Sequence, residues 1–360
     1  MEHKRISYLD RIKGVSIFFV VFCHSVLLPN DSIVGNILMC FAWGAVPCFF
    51  MVSGGIMHMP GAFHWGKWRK KVFRTYTVVC IWKLLYLLFT LMYKEVHFSR
   101  VELVHYLFLF GSLDGVSSGV LWFMYAYILL LLFYPVSYFL FCNSSDGRKI
   151  LLYLMGVCFV GGIAVNSLNF ILELLCEKTG HNVLSISDIL KVIPFGNWQN
   201  MMFFFLLGAF LLSYRDHISE FFNKGKLYRL IPLGMIVVGT GGLVLVKYLQ
   251  TGTVRWNGVY LENGYCWVST ALLSVGIYLA IQNCTVPSRF TLLETIGKHT
   301  MGIYYMHYAM LAFLSYRYFQ YFSAYKSVLL NTGKTVVIIA VCVWITMGLK
   351  KVPGLKMLVS

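Results

Sequence analysis

The chain has 360 residues, of which 59% are hydrophobic and only 12% charged, with a mean hydropathy of +0.72 and a formal charge of +16. A soluble domain averages about 25% charged residues, so this composition excludes a soluble enzyme and describes an integral membrane protein. The lysines and arginines sit in short loops between apolar runs instead of forming a basic domain, which excludes nucleic acid as a partner and points to membrane lipids and topology.

Apolar runs near the length that crosses a bilayer recur from end to end. They predict ten spans, at 12–28, 35–57, 75–92, 120–141, 150–172, 198–213, 229–249, 265–282, 300–315 and 334–350. The fold class expected is therefore an all-α bundle of about ten transmembrane helices, forming a single membrane-embedded domain over residues 1–360 of a multi-pass cell (inner or plasma) membrane protein. With the N-terminus inside, 20 of the 30 lysines and arginines fall on the inner side and 9 on the outer, Lys83 lying within a span, so both termini are expected in the cytoplasm. The first run lacks a small-residue cleavage site and reads as a retained helix. The ten cysteines show no paired spacing of the kind that marks zinc or a disulfide framework, and read as small packing residues.

The first helix opens with Asp10, Arg11 and Lys13 at the membrane edge and carries one ionisable side chain, His24, deep within it. Eleven residues at about 100° each return the helix to within about 20° of its starting face, so Lys13 and His24 share a stripe and lie about 16 Å apart along the axis. A cationic rim joined to a buried imidazole suits a long anionic donor whose reactive end reaches the histidine. Basic residues at the start of a first span are also ordinary topology signals. A lone imidazole at that depth marks either function or a helix-to-helix hydrogen bond.

The second run ends in Val46–Gly55 (VPCFFMVSGG), where Pro47 is expected to kink the helix and Ser53 and Gly54 to admit either a ligand or a neighbouring backbone. The loop that follows holds Lys67, Arg69, Lys70, Lys71 and Arg74 on the cytoplasmic side, a set that binds phosphates or anchors the chain against anionic lipid. Between residues 93 and 119 a longer outer connection includes a surface amphipathic helix expected at Val101–Phe110. It leads into Leu121–Tyr127 (LWFMYAY), whose aromatic residues read as an interfacial belt, although Trp and Tyr also stack on sugar faces.

A second outer loop, from about 173 to 197, carries Glu173, Glu177, His181, Asp188 and Lys191 and reads as either a lid or a spacer. Near the C-terminal end, Glu294, Lys298 and His299 precede a span that begins with Tyr304, Tyr305 and His307 in its first turns. Phenols and an imidazole at that depth face protein or water, as structural contacts or as catalytic groups.

With these residues assembled, the chain resembles the acyltransferase-3 family of membrane O-acyltransferases, in particular the short stand-alone bacterial forms similar to fucose 4-O-acetylase. The resemblance rests on Tyr8-Leu9-Asp10-Arg11-Ile12-Lys13-Gly14 with His24, on Val46–Gly55, on the basic loop ending at Arg74, on Leu121-Trp122-Phe123, on Phe203–Gly208 and on Ile296-Gly297 through Ile303–His307. It implies transfer of an acyl group, usually acetyl from cytoplasmic acetyl-CoA, to a carbohydrate hydroxyl, with the first-span histidine essential. Where the family shows arginine, this chain has Lys13, and where the family pairs two arginines it reads Lys71-Val72-Phe73-Arg74. Lysine keeps the charge and loses the bidentate fork. Relatives with an added soluble esterase-like or racemase domain exist; none is expected here.

The reading that follows makes His24 a general base, with Tyr305 and His307 orienting the substrate. Asp10, Lys13, Ser53, Gly54, Arg69, Lys71 and Arg74 are the expected contacts to acetyl-CoA, and the acceptor is an extracytoplasmic or lipid-linked glycan. Transfer through a covalent acyl-histidine remains open alongside direct attack. The competing class is a glycan or lipid transporter, against which stand the absence of paired halves and of intramembrane carboxylates. A sensor or scaffold would leave His24 replaceable.

Overall fold

The computed structural model describes residues 6–116, 118–179, 186, 198–284, 291–323 and 325–359, and 81% of the chain is helical. In chain order the α-helices are α1 (Ser7–Ser25), α2 (Ile33–Ala42), α3 (Ala45–Met57), α4 (Trp65–Leu91), α5 (Arg100–Phe108), α6 (Trp122–Asn143), α7 (Ser145–Phe159), α8 (Val165–Thr179), α9 (Gln199–Ser213), α10 (Arg215–Asn223), α11 (Lys226–Thr251), α12 (Val268–Gln282), α13 (Thr291–Lys298), α14 (Thr300–Ser323) and α15 (Val328–Lys351). Each of the ten apolar runs falls on one or more of these helices. Among the described residues six helical segments are long and apolar enough by themselves to cross a membrane, and a seventh counts if the α9–α10 pair, bent by 68°, is one span.

The run at 33–57 is interrupted before its proline. Pro47 has no amide hydrogen, and its ring crowds the carbonyl four residues back, which is that of Trp43. The helix accordingly breaks at Trp43 and Gly44, and Pro47 sits in the first turn of α3, where a missing amide costs least. A similar accommodation occurs between α7 and α8. There a π-helical turn at Val160–Ala164 puts Gly162 so close to the backbone of Asn200 that a side-chain carbon would not fit.

The chain divides into two compact units. The first comprises residues 1–20, 28–61 and 136–297. Its interior is built on a close crossing of α3 and α9, in which Gly54 meets the carbonyl of Phe205 and Gly208 meets that of Met51. Lipid supplies no hydrophobic drive for helix association, so small residues that let two backbones touch are what hold such a pair. The same device joins α1 to α13: Gly14 lies against the Leu293 carbonyl and Gly297 against that of Asp10, while Arg11 pairs with Glu294 at 3.1 Å.

The second unit comprises residues 21–27, 62–135 and 298–360. It contains the outer connection, whose expected surface helix is α5, closed at its start by a reciprocal cap between Ser99 and Glu102. Lys83, fully buried on α4, secures this connection by donating to the carbonyls of Tyr106 and Gly111 while lying over the rings of Tyr106 and Tyr125. Within 121–127 Phe123 is buried and packs on Tyr304 at 5.4 Å, whereas Trp122, Tyr125 and Tyr127 are half-buried, so one of the four aromatic residues read as an interfacial belt is core.

Candidate active site

His24 lies in the last turn of α1, within the second unit. Its ring is half-buried and tilted against that of His307 on α14, centroid to centroid 5.6 Å, and meets Tyr308 edge to face at 5.5 Å. No hydrogen bond from His24 to another described residue is present, so no helix-to-helix bond of this histidine is formed among the described residues.

His307 is fully buried, and its Nδ1 faces the carbonyl oxygens of Tyr304 at 2.6 Å and Ile303 at 3.2 Å. Both neighbours accept only, so Nδ1 carries the hydrogen and donates it, which leaves Nε2 with its lone pair. That Nε2 is buried with no partner among the described residues. An orphaned buried acceptor costs about 1–3 kcal/mol. His58, at the end of α3, behaves differently. Its Nδ1 lies 2.8 Å from the Gly54 carbonyl and its Nε2 2.9 Å from the Ser137 hydroxyl, so both nitrogens are taken and the ring is structural.

Tyr305, the phenol expected to orient the substrate, does not meet the His24 ring among the described contacts, whereas Tyr304 meets the His307 ring at 6.1 Å. Tyr305 stacks on Trp82, 5.3 Å away and parallel within 1°, and its carbonyl accepts from the Tyr86 hydroxyl at 2.9 Å. Tyr304 spends its hydroxyl on the carbonyl of Val120 at 2.5 Å. The phenol beside His24 is Tyr308, four residues after Tyr304 and therefore on the same face of α14 as Tyr304 and His307. That spacing was the signal available in the sequence.

The residues expected to hold the donor divide between the units. In the second unit, Arg69, Lys71 and Arg74 are all exposed on α4, but a helix turns about 100° per residue, so Arg69 points about 200° from Lys71 and about 140° from Arg74. Lys67, Lys70, Lys71 and Arg74 form one cationic face, and Lys71 also lies over the Tyr127 ring at 5.7 Å. Near its start is an open groove of about 420 Å³ lined by Phe63, His64, Trp65, Gly66, Lys67 and Lys70.

In the first unit, Asp10 is buried and its carboxylate holds Lys13 at 2.6 Å. Ser53 and Gly54 lie on α3, where the space beside Gly54 is filled by the Phe205 backbone; of the two readings open at that glycine, helix packing is the one observed. From the outer loop at 173–197, Glu173 and Glu177 fall on α8, whereas His181, Asp188 and Lys191 lie outside the described residues. Among the described residues no three His, Cys, Asp or Glu side chains gather as a metal site.

A scan against protein families matches residues 6–347 to the acyltransferase-3 family, whose description is an acyltransferase domain. Searches of curated proteins and of solved structures return no match. The match takes in nearly the whole chain, from the first turn of α1 into the last turns of α15, and with it the histidine pair and the cationic face of α4. The chain belongs to the acyltransferase-3 family and is a multi-pass membrane acyltransferase.

Proposed function

We propose that the protein moves an acetyl group from cytoplasmic acetyl-CoA to a hydroxyl of an extracytoplasmic or lipid-linked carbohydrate, in the cell membrane, through about ten spans with both termini inside. The observation that carries this reading is the imidazole of His24. It has no hydrogen bond to another described residue, it is half-exposed, and it is set among His307 and Tyr308 in a chain of this family.

In the reaction, a lone pair on the His24 ring accepts the proton of the acceptor hydroxyl as that oxygen attacks the thioester carbon. The new C–O bond forms, the C–S bond breaks, and the imidazolium returns its proton to the departing CoA sulfur. General-base assistance of this kind is worth about 10² to 10⁴ in rate. His307, with Nδ1 committed to backbone carbonyls, offers Nε2 as an acceptor beside this event and holds the substrate hydroxyl or the His24 ring in register. Lys71 and Arg74 are the groups proposed for the donor phosphates. A cation remote from the reacting carbon contributes binding without chemistry.

Topology supplies the direction. His24 lies about 16 Å along the helix from Lys13, past the middle of a hydrocarbon layer about 30 Å thick. A donor made in the cytoplasm delivers its thioester beyond the midplane, and an acceptor from outside has the shorter approach. The test uses purified protein in sealed vesicles of known orientation, with labelled acetyl-CoA and mixed glycans. Label should pass to glycan only with acetyl-CoA on the side of the termini and glycan on the other. Efficient transfer with both substrates confined to the side of the termini would refute the crossing.

A further inference from the structure

The last turn of α1 is held by a side chain more than 300 positions away. A helix leaves its last four carbonyls without amide partners, and in α1, which ends at Ser25, the carbonyl of Phe22 is one of them. Asn331, fully buried on α15, donates from Nδ2 to that carbonyl at 3.0 Å, and its Oδ1 accepts from the Leu27 amide at 2.7 Å. The amide side chain thus stands where a continuing peptide unit would stand, with its donor toward the helix and its acceptor toward the departing chain. Two neighbours on α15 complete the hold. Thr335 meets the Ser25 hydroxyl at 3.0 Å, and the Lys334 ammonium donates to the Ser25 carbonyl at 3.2 Å, a cation at the negative end of the helix.

What this hold works against is visible in the backbone. Between Ser25 and Leu27, Val26 is exposed and adopts a φ of 51°, in the left-handed region that a β-branched residue rarely enters. A chain left to itself would relax this residue. The relaxation would rotate the turn that carries His24, two residues before it. The same turn, residues 21–27, belongs with α14 and α15 in the second unit although the earlier part of α1 does not.

We infer that Asn331 is a positioning residue for His24: its two hydrogen bonds, to residues on either side of the histidine, fix the imidazole against His307 and Tyr308. The inference rests on the reading of His24 as the base. Asn331 touches no substrate and acts only through the turn it holds. Misplacement of a reacting group by about 1 Å costs on the order of 10²-fold in rate.

The experiment measures initial rates of acetyl transfer against acetyl-CoA concentration, with thermal unfolding in detergent, for Asn331→Ala, Asn331→Gln and the control Thr332→Ala. Thr332 sits beside Asn331 and bonds only its own helix, at the Val328 carbonyl. Asn331→Ala is expected to lower kcat by about 10- to 100-fold with KM for acetyl-CoA within about twofold. Asn331→Gln, which keeps both donor and acceptor, should recover most of kcat, and Thr332→Ala should match wild type. A purely structural Asn331 would lower the amount of folded protein and leave kcat per folded molecule unchanged, and that result overturns the inference. If Asn331→Ala does not fold, Asn331→Gln is compared with Asn331→Asp. Asp keeps the acceptor for Leu27 and, if protonated, the donor for Phe22, so the comparison is made with Asn331→Leu as well, which keeps the volume and supplies neither; kcat of Asn331→Leu equal to that of Asn331→Gln would overturn the inference. His24→Ala in the same assay separates the two readings. An active His24→Ala removes the base itself, whereas an inactive His24→Ala beside a fully active Asn331→Ala removes only the positioning role.

Discussion

Replacing His307 by Phe should leave the protein about as stable as wild type and yet nearly inactive, an outcome opposite to that of an ordinary core substitution. Phenyl is larger than imidazole by one ring atom, so no cavity opens, and the excess is taken up toward the half-buried His24 ring 5.6 Å away. Two hydrogen bonds are lost, from Nδ1 to the carbonyls of Ile303 and Tyr304. Each is worth about 1 kcal/mol net, and the pair less than twice that because one hydrogen is shared. Against this, the substitution removes the unpartnered Nε2, whose burial costs about 1–3 kcal/mol. The two effects offset, and the unfolding temperature should stay within about 3 °C of wild type or rise. If Nε2 serves the reaction, kcat should fall by about 10² or more. The assay pairs labelled acetyl transfer with unfolding followed by intrinsic fluorescence. A Phe variant that unfolds more than about 8 °C lower and retains its kcat would refute the reasoning, since His307 would then be a structural donor and nothing else.

Two further substitutions test the surrounding assignments. Arg74→Ala should raise KM for acetyl-CoA several-fold while leaving that for the glycan near wild type, and Arg69→Ala, on the other side of α4, should change neither by more than about twofold; equal effects of the two would mean that the loop acts as a diffuse anchor. Gly54→Ala drives a methyl into the Phe205 carbonyl and should lower stability by about 1–3 kcal/mol without raising KM for acetyl-CoA. A raised KM with normal unfolding would make α3 a donor groove after all.

Much of the helical layout is legible because an apolar run of bilayer length has few alternatives in lipid, and each of the ten runs did become helix. An interruption near Pro47 was legible, although its place follows from a clash four residues upstream and so falls at Trp43. His24 was legible for the same reason that makes it expensive, a lone imidazole in an apolar run. Tyr308, which meets the His24 ring, is not distinguished by sequence from its neighbours Tyr304 and Tyr305, because adjacent phenols look alike until the helix face is fixed by packing. Asn331, Lys334 and Thr335 carried no signal. Polar residues in the early turns of a span read as interfacial, and nothing in a periodicity tells that one of them reaches the end of a helix some 300 residues earlier. Gly54 illustrates the opposite limit. Its small size was legible, but whether a ligand or a backbone fills the space depends on α9, which no local pattern reveals.

The account stands most directly on the chemistry of one side chain, and single-turnover transfer by His24→Ala measures it. With saturating labelled acetyl-CoA and glycan, the variant should transfer label at least 10²-fold more slowly than wild type while its unfolding temperature stays within a few degrees, since the half-buried ring makes no hydrogen bond to another described residue. A rate within about tenfold of wild type would contradict the assignment of His24 as the base.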